Sequence, residues 1–294
     1  MLYSLARQHK PNSWLRGPLM STGAVEEHYG SIGITARILT ALRAVNGPDV
    51  RITPDTLAPI DHFHGKGEVA TDELAALLQP KASDHPLDIG CGIGGPARWI
   101  AAKYRCRVTG VDLTPEFCEA ARELNSLCGL ADRVKILHGS ALSLPLPDNC
   151  FDRAYSHAAL MNISDKRGVF REAFRVLRPG GSLALSLAGT GTAGEPHYPL
   201  PWATTPEISF LATPDEIRGD LLAAGFQIVI LHDTAAAVVA SLAPVLKQLE
   251  TEGLPPLSSH VVMGDNEKEW RINVMRSQAE GRLSMIEALA RKPA

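Results

Sequence analysis

The sequence lacks a cysteine pattern that would hold a metal ion or a disulfide framework. No CxxC pair and no zinc-like spacing occurs among Cys91, Cys106, Cys118, Cys128 and Cys150. An odd, scattered set is typical of reduced thiols, so we expect a cytoplasmic protein. The pattern argues against a small disulfide-stabilised secreted domain and predicts no bound metal.

Long hydrophobic runs and blocks of one charge are also missing. No stretch approaches the roughly 18 apolar residues of a membrane-spanning helix, and residues 7–10 are polar where a signal peptide needs an apolar core. The net charge is −3 without a lysine/arginine block, so neither nucleic acid nor a membrane is an expected partner. What is present, 45% hydrophobic and 21% charged residues over 294 positions, suits a globular protein with a sizeable core.

Strand and helix patterns alternate through the chain. Strands are predicted at 87–89, 107–111, 134–138, 151–156, 182–188, 226–231 and 282–290. Helices are predicted at 31–45, 71–79 (with Thr71 as N-cap), 94–104, 115–128, 165–177, 234–249 and after the capping box that begins at Thr213. Alternating β and α elements predict an α/β fold, a parallel sheet with helices on both faces.

The glycine-rich segment at 87–95, LDIGCGIGG, ends a predicted strand and opens a helix. Gly90, Gly92 and Gly95 satisfy G-x-G-x-x-G, so an NAD-binding oxidoreductase is one interpretation. Asp88 argues against it, because a carboxylate would repel the pyrophosphate that such folds place at the helix N-terminus. The same charge favours S-adenosylmethionine, a cationic ligand that carries no phosphate.

Two further polar positions follow the next strands. Asp112 can accept both hydroxyls of a ribose, which fits either nucleoside cofactor. Ser140, with the backbone around it, can meet an adenine edge. Three ordered motifs at successive strand ends therefore predict an S-adenosylmethionine site.

Seven segments of the sequence match one known family. They are 61–74 (DHFHGKGEVATDEL), 87–101 (LDIGCGIGGPARWIA), 143–152 (SLPLPDNCFD), 161–166 (MNISDK), 175–181 (RVLRPGG), 198–211 (YPLPWATTPEISFL) and 260–266 (HVVMGDN). In these segments the sequence resembles class I S-adenosylmethionine-dependent methyltransferases, and more narrowly the bacterial sarcosine/dimethylglycine N-methyltransferase-like group. The resemblance covers the chain from about residue 26 onward and implies a Rossmann-like sheet with the cofactor at the strand carboxyl ends.

The resemblance also implies a set of cofactor contacts. These are Asp88, Gly90, Cys91, Gly92, Gly94, Asp112, Leu113, Ser140, Ala141 and His157, while Tyr29 would close over the cofactor. Ser140 stands where such enzymes commonly carry aspartate, so contact to adenine is expected through the backbone. Asn162 stands where they often carry histidine, so no acid–base role is expected there.

Methyl transfer is an in-line displacement that requires a held acceptor and excluded water. We expect His157 and Tyr29 to border the transfer site, since each abuts a cofactor motif. The expected substrate contacts are His62, His64, Asn162, Tyr198 and Trp202. His62 and His64 also suggest a metal pair, but a further ligand is not evident nearby.

Two segments complete the expected organisation. Residues 1–80 are expected to form an N-terminal arm and helical extension that covers the site, and residues 81–294 the catalytic domain. Within that domain the proline-, glycine- and threonine-rich stretch 189–212 is interpreted as an inserted lid whose aromatic rings hold substrate. An ordinary long surface loop is the alternative.

The expected activity is methylation of a small molecule, with an amine as the acceptor that the resemblance implies and S-adenosylhomocysteine as product. C- or O-methylation of a less polar prenyl, polyketide or phenol metabolite stays open, because one scaffold hosts all three reactions. So do the oxidoreductase and a non-catalytic module that keeps the cofactor as a structural ligand. A homo-oligomer is compatible with the sequence.

Overall fold

The computed structural model describes residues 33–294, apart from the side chains of residues 241–243; the predicted arm and Tyr29 lie outside this range. The described helices are α1 (Ile34–Asn46), α2 (Pro54–Asp61), α3 (Glu68–Leu78), α4 (Gly95–Tyr104), α5 (Pro115–Leu127), α6 (Lys166–Val176), α7 (Pro214–Ala223), α8 (Ala235–Glu252), α9 (His260–Met263) and α10 (Glu267–Ala279). The strands are β1 (Pro86–Ile89), β2 (Val108–Asp112), β3 (Val134–His138), β4 (Phe151–His157), β5 (Leu177–Thr190), β6 (Gln227–Asp233) and β7 (Leu283–Arg291). None of the helices within 33–294 is long and apolar enough to cross a membrane.

The strands form one seven-stranded sheet in the order β3-β2-β1-β4-β5-β7-β6. β1 to β5 pair in parallel, as the alternating pattern predicts. β7 is antiparallel to β5 and β6, so the sheet is mixed; the sequence pattern predicts no direction for this last strand. Leu283 at the start of β7 pairs with Thr190 at the end of β5. Because α10 ends only a few residues before β7, the chain enters the sheet from the carboxyl edge and has to run in the opposite direction.

The helices before the sheet differ from the prediction in two ways. α3 begins at Glu68, so Thr71 is a buried residue inside the helix and not its N-cap. α2 was not predicted, although Thr53 followed by Pro54 is a cap-and-proline signal; the Thr53 hydroxyl accepts a hydrogen bond from the Thr56 amide. The missed helix places residues 61–64 against the glycine-rich turn.

Residues 33–294 form three apolar core clusters, and the position of the third matters for the site. The largest packs α6 and α7 against β4, β5 and β7, and a second packs α3 and α4 on the other face. The third joins Ile38 and Leu57 of α1 and α2 to Ile93, Phe117 and Leu124. The helices before the sheet therefore share a core with the rest of the fold at the carboxyl edge of the strands.

We expect Phe170→Ala to lower the free energy of unfolding by about 3–5 kcal/mol, because the ring is 0% exposed between α6 and the sheet and its loss leaves a cavity. Urea unfolding followed by circular dichroism measures the change. The matched control is Leu222→Ala on α7, whose side chain is 54% exposed and should change stability by less than about 0.5 kcal/mol. Similar losses in both variants would contradict the packing described here.

Candidate active site

A cavity of about 1080 Å³ lies at the carboxyl edge of the parallel strands. Its floor is formed where β1, β2 and β4 end, and its walls come from the α2–α3 connection, the 189–212 segment and helices α8 to α10. This is the crevice outside the strand carboxyl ends where α/β sheets bind ligands. The cavity is large enough for a nucleoside ligand and a second molecule beside it.

The glycine-rich turn forms part of this floor. Gly90, Gly92 and Gly94 have φ values of 79°, 54° and 79°, a backbone region that L side chains disfavour. A β-carbon at residue 90 would also clash with Ala159. Gly90, Cys91 and Gly92 line the cavity, whereas Gly94 lies behind it against Arg98. The turn therefore presents backbone to a ligand at Gly90 and Gly92, whereas Gly94 allows the turn its positive φ and does not contact the cavity.

Asp88 lies at the bottom of the cavity and is 1% exposed. Its Oδ2 accepts a hydrogen bond from the Tyr155 hydroxyl at 3.0 Å. Burial raises the pKa of Asp88 to about 8, and the negative charge of Asp112 adds to the rise. The carboxyl group is therefore mostly neutral near pH 7 until a cation binds beside it.

Asp112 ends β2 with both carboxylate oxygens oriented by the backbone. Oδ2 accepts the Gly92 amide at 2.8 Å and Oδ1 accepts the Thr114 amide at 2.9 Å. Burial raises the pKa of Asp112 above its ordinary value, and these amide hydrogen bonds offset only part of the rise. Since each oxygen keeps a further lone pair, the group can still accept ribose hydroxyls.

The chemistry of this donor set fits S-adenosylmethionine. Asp88 matches an ammonium group, Asp112 a ribose, and the turn contains no basic side chain for a phosphate. Leu113, Ser140 and Ala141 line the cavity beyond Asp112, where an adenine would extend. The Ser140 hydroxyl already accepts the Leu142 amide at 3.2 Å, which leaves its hydrogen available to a ligand.

Three histidines meet beside the turn. His157 ends β4, and its ring stacks on His64 with 3.5 Å between centroids. His62 meets the edge of His64 at 5.5 Å. Burial lowers the pKa of His157 to about 3 and the pKa of His64 well below its usual value. Both rings are therefore neutral near pH 7.

Sequence reasoning missed the buried network behind these histidines. Asp61 Oδ2 lies 2.8 Å from Arg98 Nη2, and Asp61 Oδ1 lies 2.9 Å from His62 Nδ1. Arg98 Nη1 in turn donates to Asn125 Oδ1 at 3.0 Å. The only signal was that Asp61 and Arg98 lie in the segments 61–74 and 87–101, which match the family. Nothing in the sequence pairs them.

The rest of the wall is mainly apolar. Its large side chains are Met161, Trp202, Ile208, Phe210, Trp270, Val274, Met275, Met285 and Ile286. Asn162 donates to the Trp202 carbonyl at 2.7 Å, and the Trp202 indole donates to Ser209 at 3.0 Å. Tyr198 packs against the main core and does not line the cavity. Among residues 33–294 no group of three or more histidine, cysteine or acidic side chains is arranged to hold a metal.

The sequence and the fold are similar to those of known methyltransferases. A family model described as "Methyltransferase domain" matches residues 87–185. O-methyltransferase resE of Aspergillus sclerotiorum is 30% identical over 64% of this chain and 71% of its own length. Methyltransferase GfsG of Streptomyces halstedii is 39% identical over 43% of this chain, and this chain spans only 46% of that relative.

A solved structure of geranyl diphosphate C-methyltransferase from Streptomyces coelicolor A3(2) superposes with a TM-score of 0.66. It is 15% identical, covering 94% of this chain and 100% of the other. At this identity the likeness concerns the fold. It agrees with the Rossmann-like sheet expected from the sequence.

We expect Asp88→Asn to stabilise the ligand-free protein as the pH rises. Because the folded carboxyl group has a raised pKa, its stabilising contribution is full below about pH 4 and is lost as the pH rises to about 8. Asparagine does not titrate, so the difference in free energy of unfolding between the variant and the wild-type protein should increase in favour of the variant over that pH window and then stay constant. Urea unfolding at pH 5 and pH 9 measures it.

The same variant should bind S-adenosylhomocysteine about ten- to a hundredfold more weakly in calorimetry, since the ammonium group loses a charged partner. The control is Asp132→Asn, in an exposed turn, which should change neither quantity. Unchanged affinity in the Asp88 variant would remove this residue from the donor site.

Proposed function

The chain belongs to the class I S-adenosylmethionine-dependent methyltransferases, and we propose that it transfers a methyl group to a hydroxyl group of a bulky, mainly apolar small molecule. The observation that carries this proposal is the wall beside the glycine-rich turn, which combines large apolar side chains with neutral histidines. An apolar wall favours an apolar acceptor, because burying an unpaired charge there would be costly. The similarity to a fungal O-methyltransferase supports the choice of a hydroxyl group.

The charged residues of the cavity argue against a small amino-acid acceptor. Among residues 33–294, lysine and arginine occur in its lining only as Lys66 and Arg271, and these are paired with Glu73 and Glu267. A sarcosine or dimethylglycine carboxylate would need a basic partner that is not already paired. The amine acceptor implied by the sequence resemblance stays a prediction, and neutral histidines would also suit an uncharged amine.

The proposed donor site uses the strand ends. Asp88 holds the ammonium group, Asp112 the ribose hydroxyls, and Ser140 and Ala141 the adenine. When bound, S-adenosylmethionine supplies an electrophilic methyl group on its sulfonium. His157 ends β4 and lines the same cavity, and we propose that it orients the acceptor as a neutral ring.

We propose that the 189–212 segment covers the bound acceptor. It is held at several points: the Phe210 amide donates to the Met161 carbonyl, and Asn273 donates to the Pro199 carbonyl at 2.9 Å. Trp202 is 6% exposed and faces the same cavity as the histidines. A segment so placed excludes water from the acceptor, which a direct displacement requires.

An acceptor screen with isotope-labelled S-adenosylmethionine tests the proposal. Substituted phenols and hydrophobic alcohols are expected to give methyl ethers by product mass, and sarcosine and dimethylglycine are expected to give no product. Calorimetry should show binding of S-adenosylhomocysteine and none of NADH. Preferential methylation of sarcosine or dimethylglycine would refute the proposal and support the amine.

We expect Trp202→Ala to raise the KM for an aryl acceptor at least about tenfold, because a large apolar contact is lost. The affinity for S-adenosylhomocysteine should stay within about twofold. Trp202→Phe is the matched control, since it keeps a ring against the cavity and gives up only the hydrogen bond to Ser209. Equal KM values in all three proteins would show that this ring does not touch the acceptor.

A further inference from the structure

Asp61 is the last residue of α2, and each oxygen of its buried carboxylate has a hydrogen-bond partner. One oxygen faces Arg98, which is 0% exposed, and the other faces His62. Burial by itself would raise the pKa of Asp61, but the His62 hydrogen bond and the Arg98 charge outweigh it, so the pKa is lowered. The carboxylate therefore stays ionised inside the protein, and Arg98 balances its charge.

This carboxylate fixes which nitrogen of His62 carries hydrogen. An ionised carboxylate only accepts, so the hydrogen lies on Nδ1 and the lone pair lies on Nε2. Nε2 is buried and has no hydrogen-bond partner among residues 33–294. His62 itself lines the cavity next to the glycine-rich turn. His64 Nδ1 and His157 Nδ1 are also buried without a partner among these residues, so His62 differs from them in the carboxylate that orients its ring.

Among the three histidines, His62 alone is hydrogen-bonded to a carboxylate. The charged and titratable groups around it are Asp61, His64, Asp72, Arg98 and His157. The hydrogen bond from Nδ1 to Asp61 fixes the orientation of the His62 ring, whereas no carboxylate among residues 33–294 is hydrogen-bonded to His64 or His157. His62 is therefore the ring of the three whose orientation a carboxylate sets.

We infer that His62 is the general base of the proposed methyl transfer and that Asp61 is its positioning residue. The inference rests on the proposed hydroxyl acceptor. As the new oxygen–carbon bond forms, the sulfur–carbon bond of the donor breaks with its electron pair remaining on sulfur. The hydroxyl proton passes to His62 Nε2, and the imidazolium pairs with Asp61 until the proton leaves to solvent.

His62→Gln, assayed with two phenols that differ in acidity, tests the base. With 4-methylphenol, whose hydroxyl is protonated near neutral pH, we expect a loss of about 10²- to 10⁴-fold in kcat. With 4-nitrophenol, which is largely ionised at pH 8, the loss should be less than about tenfold, because no base is needed. The 4-methylphenol rate of the variant should also rise about tenfold per pH unit, as only the ionised acceptor reacts.

The control is His85→Gln at the opposite edge of the sheet, where the ring meets Thr109 at 2.9 Å. It should reproduce the wild-type ratio for the two phenols. Equal losses for both phenols in His62→Gln, with S-adenosylhomocysteine affinity unchanged, would overturn the role of His62 as base. Wild-type protein that methylates no hydroxyl acceptor would instead refute the proposed function.

Nitrogen-15 NMR of the histidine rings tests the geometry without any acceptor. In the complex with S-adenosylhomocysteine, His62 should carry its hydrogen on Nδ1, and Asp61→Asn should alter that signal while His85 stays unchanged. A hydrogen on Nε2 in the wild-type complex would overturn the inference even if the methylation assays succeed. The kinetic test uses His62→Gln because Asp61→Asn also deprives Arg98 of its counter-charge.

Discussion

The site depends on the close approach of the end of α2 to the first turn of α4. A β-carbon at residue 95 would overlap the Asp61 carbonyl, so only glycine fits at this position. Asp61 then reaches Arg98 one turn further along α4, and the ion pair has almost no exposed surface. Removing one partner of such a pair costs about 3–5 kcal/mol, because the other charge is left buried. The contact therefore holds the α2–α3 connection, and the histidines on it, against the donor turn.

Several buried ionisable groups of the cavity are held in their uncharged forms. Burial favours the protonated form of Asp88 and the unprotonated forms of His64 and His157. Asp61 differs from them, and it is ionised because His62 donates a hydrogen bond to it and a buried arginine lies next to it. A cationic donor therefore meets a carboxyl group that can ionise on binding, and an acceptor meets uncharged rings. The same burial that weakens Asp88 as an anion makes its interaction with a bound cation stronger, since little water competes.

Much of the donor side could be predicted from the sequence, because it consists of local signals. Asp88 lies near the end of a predicted strand, the glycine-rich turn follows that strand, and Asp112 follows the next one; parallel strands bring their carboxyl ends to one edge. The acceptor side could not be predicted in the same way. The His64–His157 stack joins residues 93 positions apart, and Asp61 and Arg98 come from elements whose contact no periodicity encodes. The direction of β7 could not be predicted for a similar reason, because it depends on where α10 ends relative to the sheet.

The proposed donor contacts and the apolar wall lie on different elements. The proposed donor contacts follow β1, β2 and β3, whereas Met285 and Ile286 of β7 and Trp270 of α10 line the cavity from the far half of the sheet. One scaffold can thus keep one methyl donor and accept different molecules. In this chain the result is an apolar wall facing a histidine that a buried ion pair holds in place.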